Sequence, residues 1–125
     1  MENGQAYVMR ILLVEDHLDS LDVMRRILER YHHEVTTVTT LADAVRTCIS
    51  GKFDLALCDI GLPDGDGWEF AKVARQCECK AIALTGFGMP HEVAKAKAAG
   101  FVEHIVKPVG VQELLSAVDR ASGKV

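Results

Sequence analysis

Three short apolar runs each end on a polar group able to do chemistry, and this repeated figure constrains the fold more than any total. Residues 10–15 (RILLVE) run into Asp16, residues 55–58 (LALC) into Asp59, and residues 81–85 (AIALT) close on the hydroxyl of Thr85. Runs without polar alternation fit strands covered on both faces, as in a parallel sheet whose crossovers lay helices on each side.

Amphipathic segments follow each strand. Leu18, Leu21, Met24, Ile27, Leu28 and Tyr31 recur at helical spacing, with Asp19 and Asp22 toward the positive end of that helix. Residues 34–38 (EVTTV) are β-branched but more polar, which suits an edge strand. Thr40 is placed to cap a second helix with an apolar face of Leu41, Ala44, Val45, Cys48 and Ile49, ending at Gly51. Phe70, Ala74 and Cys77 mark a third helix. Pro90 and Gly100 bracket a fourth, residues 101–106 (FVEHIV) give a fifth strand, and Val111, Leu114, Leu115 and Val118 space a last helix. The segment 62–67 (LPDGDG) reads as a turn, since the later ligands of a calcium loop are missing.

Five alternations of strand and helix predict a doubly wound α/β domain with a parallel five-stranded sheet and right-handed crossovers. In such sheets function gathers beyond the carboxyl ends of the strands. Glu15 and Asp16, Asp59, Thr85, and Lys107 with Pro108 all fall at that edge. Three carboxylates brought together repel one another unless a hard cation with oxygen ligands joins them, and Mg²⁺ is the natural candidate. As a lone residue, Asp16 would read as a helix cap and Asp59 as a turn residue before Pro63. Caps, however, require no hydroxyl and lysine at the ends of two further strands. A carboxylate nucleophile, a divalent cation, a hydroxyl and an ammonium together suit phosphoryl transfer.

The motifs ILLVED (11–16), DLALCDIGLPDGDGW (54–68), ALTG (83–86) and KP (107–108), in this order and spacing, resemble the response-regulator receiver domain of two-component signalling across residues 10–121. That resemblance implies a (βα)5 flavodoxin-like fold with strand order 2-1-3-4-5. It implies Asp59 as phosphoacceptor, with Asp16 and Asp59 as direct Mg²⁺ ligands, Glu15 acting mainly through a water and the Gly61 backbone carbonyl as a further ligand. Lys107 would meet the phosphoryl oxygens, Thr85 would turn to the phosphate, and the bond before Pro108 would be cis. Two positions depart from the family: Gly61 stands where many relatives carry a larger side chain, and His104 where Tyr or Phe usually forms an aromatic switch. His104, on the sheet face shared with Val102 and Val106, is expected to take over that switch.

The resemblance also implies a histidine kinase or histidine phosphotransfer protein as partner, and an output protein or fused kinase downstream. The domain would be a regulatory phosphoacceptor and not an enzyme. Residues 1–9 are expected to form a loose tail and 122–125 another, with no output domain following, and the stretch 82–90 is closer to receivers attached to hybrid histidine kinases. A net charge of −4 leaves no electrostatic footprint for nucleic acid, and no run approaches the length of a membrane span. With no signal peptide, a cytoplasmic location is expected and Cys48, Cys58, Cys77 and Cys79 should be free thiols. A flavin module would need a glycine- and hydroxyl-rich loop after the first strand, where residues 16–19 read DHLD. A small-molecule phosphatase could use the same carboxylates, but no substrate pocket or dedicated general acid is apparent in the sequence. A pure interaction module would not need the intact polar set.

Overall fold

Alternate residues of the central strands divide two apolar cores between them. In the computed structural model, which describes residues 8–86 and 90–123, β1 (Arg10–Val14), β2 (Glu34–Val38) and β3 (Leu55–Asp59) are followed by a two-residue ladder of β4 (Gly61–Leu62) and β5 (Gly65–Asp66). Then come β6 (Lys80–Thr85) and β7 (Glu103–Val106). The helices are α1 (Leu18–Arg30), α2 (Leu41–Ser50), α3 (Trp68–Gln76), α4 (Pro90–Ala99) and α5 (Val111–Ala121). The main sheet is parallel in the order β2-β1-β3-β6-β7, which is 2-1-3-4-5 when its own strands are counted along the chain.

On one face Ile11, Leu13, Leu55, Leu57, Ile82 and Leu84 pack against Leu21, Met24 and Leu28 of α1 and Leu114, Ala117 and Val118 of α5. On the other face the strands present smaller groups, including Ala56, Cys58, Ala81 and Ala83, and the space is filled by Phe70 of α3 and by Phe101. Leu12 and Val14 of β1 join this second core, so only β3 and β6 present small side chains there, where the aromatic rings supply the volume.

Thr40 caps α2 as expected, its hydroxyl oxygen accepting the Asp43 N–H at 3.1 Å. α4 begins at Pro90, and Gly100 follows it at φ +111°, a conformation that favours glycine. β2 lies at the sheet edge, as its polar sequence predicts.

Four residues assigned to buried helix faces are exposed: Leu18, Tyr31, Ile49 and Val111. Each lies near a helix end, where the apolar stripe runs past the sheet that would cover it. Met9, assigned to the tail, is buried, its N–H donating to His33 Nδ1 at 3.1 Å and its carbonyl accepting the Glu34 N–H. The fifth strand starts at Glu103, later than residue 101, because Phe101 leaves the strand line to enter the core. The segment read only as a turn also forms the β4–β5 hairpin. Residues 87–89, part of the 82–90 stretch, lie outside the described residues.

All four cysteines are free, and Cys48 on α2 lies in side-chain contact with Cys77 and Cys79 beyond α3. No helix among the described residues is long and apolar enough to cross a membrane.

Candidate functional site

The parallel register brings the ends of four strands to one edge. The Glu15 N–H donates to Val38 O as β1 runs out, and the Glu15 side chain turns inward and is sealed from solvent. Its Oε2 accepts the His17 N–H at 3.0 Å, while Asp16 stays exposed in the turn before α1. Asp59 is the last residue of β3, largely buried, with Oδ1 accepting the Gly61 N–H at 3.1 Å. Glu15, Asp16 and Asp59 each offer a carboxylate oxygen within 4.8 Å of the others.

Lys107 reaches this group from the end of β7. Its Nζ lies 2.8 Å from Glu15 Oε1 and 3.0 Å from Asp59 Oδ2. Its backbone N–H donates to Thr85 O at 2.7 Å, so the buried Thr85, last residue of β6, is tied to the strand carrying the lysine. The Lys107–Pro108 bond is cis.

Charge is shared unequally. Burial pulls the Glu15 carboxyl above its usual range, against the Lys107 ammonium and the His17 N–H, with the neighbouring Asp59 adding to the rise. Burial acts on Asp59 in the same sense, but Lys107, Glu15 and the Gly61 N–H outweigh it and hold that carboxyl below its usual range. Burial would lower Lys107, yet its two carboxylate partners raise it. A carboxylate kept ionised beside a fixed ammonium is equipped as a nucleophile.

Glu15 Oε1 tests whether the set suits a metal. It is buried and no donor is aligned on it as a hydrogen bond, the Lys107 ammonium lying within ion-pair distance but off the required direction. A buried oxygen left in this way beside two further carboxylates has capacity for another positive group. Hard oxygen donors with one exposed member, Asp16, fit Mg²⁺, which keeps part of its water shell.

His104 stands apart from this group. It is half-buried on β7, in register with Ala83, and lines a groove with Val93, Ala96 and Lys97 of α4. Gly61 opens the β4–β5 hairpin beside Asp59, and a Cβ built on it would meet nothing within 4 Å.

One participant escaped the sequence reading. Asp64, at the hairpin turn, accepts the Leu41 N–H at 2.7 Å and the Ala42 N–H at 3.0 Å, so it caps α2 from the loop that follows β3. Its amide partners lie more than twenty positions upstream, where no local motif could signal them.

A family model described as the response regulator receiver domain matches residues 11–119. The chain is 36% identical over 112 residues to the swarming motility regulation protein RssB of Serratia marcescens, covering 88% of this chain and 51% of that one. It is 32% identical over 111 residues to the transcriptional regulatory protein SpaR of Bacillus subtilis, covering 88% and 50%. It is 30% identical over 109 residues to the two-component response regulator ARR10 of Arabidopsis thaliana, covering 85% and 20%. The chain thus spans between a fifth and about half of the length of these relatives.

Among solved structures, a CheY-like receiver domain protein from Methanospirillum hungatei superposes with TM-score 0.86 at 30% identity, covering 94% of this chain and 97% of that one. The receiver domain of a sensor histidine kinase from Pseudomonas aeruginosa, described with a magnesium ion coordinated in its active-site cleft, gives 0.83 at 29% identity, covering 94% and 99%.

Proposed function

The chain belongs to the response regulator receiver domain family, and from that premise we propose that it is a phosphoacceptor switch in which Asp59 receives a phosphoryl group. The observation that carries this reading is the bridge from Lys107 to both Glu15 and Asp59, with Asp16 completing the carboxylate group. Asp59, held ionised, attacks phosphorus as the bond from phosphorus to the donor's leaving group breaks. Lys107 then exchanges its carboxylate contacts for a phosphoryl oxygen, and Thr85 turns its hydroxyl to the new dianion.

Asp16, Asp59 and the Gly61 carbonyl would hold Mg²⁺ directly and Glu15 mainly through a water. When bound, the ion offsets the repulsion between these carboxylates and the incoming group. The donor is a histidine kinase or a histidine phosphotransfer protein, and the domain is a cytoplasmic regulatory module and not a turnover enzyme. Its changed state is passed to an output protein or fused kinase through α4, β7 and α5. His104, beside α4, takes the place of the aromatic switch.

Asp59→Asn should accept no label from acetyl phosphate or a donor kinase, and excess chelator should prevent labelling of the native chain. Label that persists in either experiment overturns the assignment.

A further inference from the structure

We propose that Asp64 is a positioning residue for the cation site: by clamping the β4–β5 hairpin to the start of α2, it holds the Gly61 peptide in the orientation that a metal requires. The proposal rests on the reading of Gly61 as a carbonyl ligand given above.

The loop from Asp59 to Gly67 is closed at its root. The Ile60 N–H donates to Leu84 O at 3.1 Å and the Gly67 N–H to Ile60 O at 2.8 Å. Between these bonds the chain runs out through Gly61 and Leu62, turns at Pro63 and Asp64, and returns through Gly65. Gly61 has no side chain to pack, nothing lies near the position of a Cβ, and glycine backbone is the least restricted of any residue. The orientation of its peptide must therefore be fixed from outside the residue. Its N–H to Asp59 Oδ1 is one constraint.

The other constraint is the far end of the hairpin. Both carboxylate oxygens of Asp64 are engaged, one with each of the first two amides of α2. Those amides lack partners within the helix, and they stand at its positive end, where a carboxylate is the favoured acceptor. The two bonds hold the Asp64 carboxyl below its usual range. Beside them Gly65 lies so near Leu41 that an added Cβ would come within 2.9 Å of Leu41 Cδ2. Leu62, on the inner side, is buried. The hairpin is thus seated on α2 by a paired hydrogen bond and one apolar contact. Losing the paired bond leaves the hairpin seated on α2 by that apolar contact alone, and so loosens the Gly61 peptide.

Two plainer roles for Asp64 make different predictions. A simple cap would stabilise α2 without touching the metal, and a remote charge would attract cations wherever the hairpin lay. Thr40→Ala separates the first, since it removes the other cap of the same helix and leaves the hairpin bonds in place. Asp64→Asn separates the second, because it removes the charge yet keeps an oxygen that can accept one amide.

The test is Mg²⁺ titration by calorimetry, with melting temperature measured in parallel, on the full chain and the variants Asp64→Ala, Asp64→Asn and Thr40→Ala at one ionic strength. Asp64→Ala should weaken Mg²⁺ binding by about three- to tenfold, at or below the low end for loss of a partner that orients a metal ligand. Asp64→Asn should recover part of the affinity, and Thr40→Ala should lower the melting temperature with Mg²⁺ binding unchanged. The proposal is overturned if Asp64→Ala binds as the native chain does, if Asn and Ala behave alike, or if Thr40→Ala weakens binding equally. A native chain that takes up no Mg²⁺ overturns the reading of the site itself, a result distinct from all of these.

Discussion

The ammonium of Lys107 lies 2.8 Å from an oxygen of Glu15 that solvent does not reach, so the base of the site is held by an ion pair between β7 and the end of β1. The same ammonium also neutralises Asp59. Lysine and a bound cation would therefore serve overlapping electrostatic purposes, and removing one should make the chain depend on the other.

Lys107→Met keeps most of the aliphatic stem and deletes the charge. It should lower stability by about 1–3 kcal/mol without Mg²⁺, less than the 3–5 kcal/mol for breaking a fully buried pair because the Lys107 side chain is 27% exposed. Mg²⁺ should restore more stability to this variant than to the native chain. Urea unfolding with and without Mg²⁺ measures both, and an equal Mg²⁺ increment in the two proteins would contradict the overlap.

Gly61 and Gly67 flank the hairpin and should respond oppositely to alanine. At Gly67 an added Cβ would meet Asp59 O at 2.7 Å and Ile60 Cα at 3.1 Å, both backbone, so Gly67→Ala should cost about 1–3 kcal/mol or more. At Gly61 the space is open, and Gly61→Ala should stay within about 0.5 kcal/mol of the native chain. Denaturant midpoints decide this; comparable losses at both sites would show that the hairpin shifts to relieve contact.

Thr85→Ala should still take up phosphoryl label, since nucleophile, lysine and carboxylates remain, but should lose much of the accompanying change in β6, β7 and α4. Amide spectra with and without phosphorylation report this. A response matching the native one along those elements would place the coupling elsewhere.

His33 should make stability fall at mildly acid pH. Its Nδ1 accepts the Met9 N–H, so the neutral ring carries its proton on Nε2, and a second proton would set two donors face to face. Burial lowers its pKa, opposed by Asp119 and assisted by His32. The folded state thus binds the proton less readily than the unfolded chain, whose histidine titrates near about 6.5. This contribution is complete above that pH and is lost as pH falls from there toward the lower folded value, with a slope of at most about 1.4 kcal/mol per pH unit. His33→Gln should flatten the decline in urea stability between about pH 6.5 and 5; parallel profiles would rule it out.

The central strands were legible because burial on both faces leaves an unbroken apolar run, and the acids ending those runs are the ones the fold brings together in the candidate site. Helix faces were legible in their middle turns and not at their ends: Leu21, Met24 and Leu28 are buried, while Leu18 and Tyr31, on the same repeat, reach past the sheet. Asp64 was illegible because its amide partners belong to an earlier helix, and the meeting of Cys48 with Cys77 and Cys79 was hidden for the same reason. The lysine's place against Glu15 required strand order and register together, neither of which a local pattern encodes.

Glu15, Asp59 and Lys107 come from three strands spread over nearly the whole ordered chain, and β3 and β6 must both be seated before the lysine can reach the acids. No contiguous fragment short of that span contains all three residues, although β1 and β3, paired directly, already bring the carboxylates together. Closing such distant segments is slow relative to forming helices. The three side chains therefore meet only when β1, β3, β6 and β7 stand together in register, so a partly folded copy lacks the complete group.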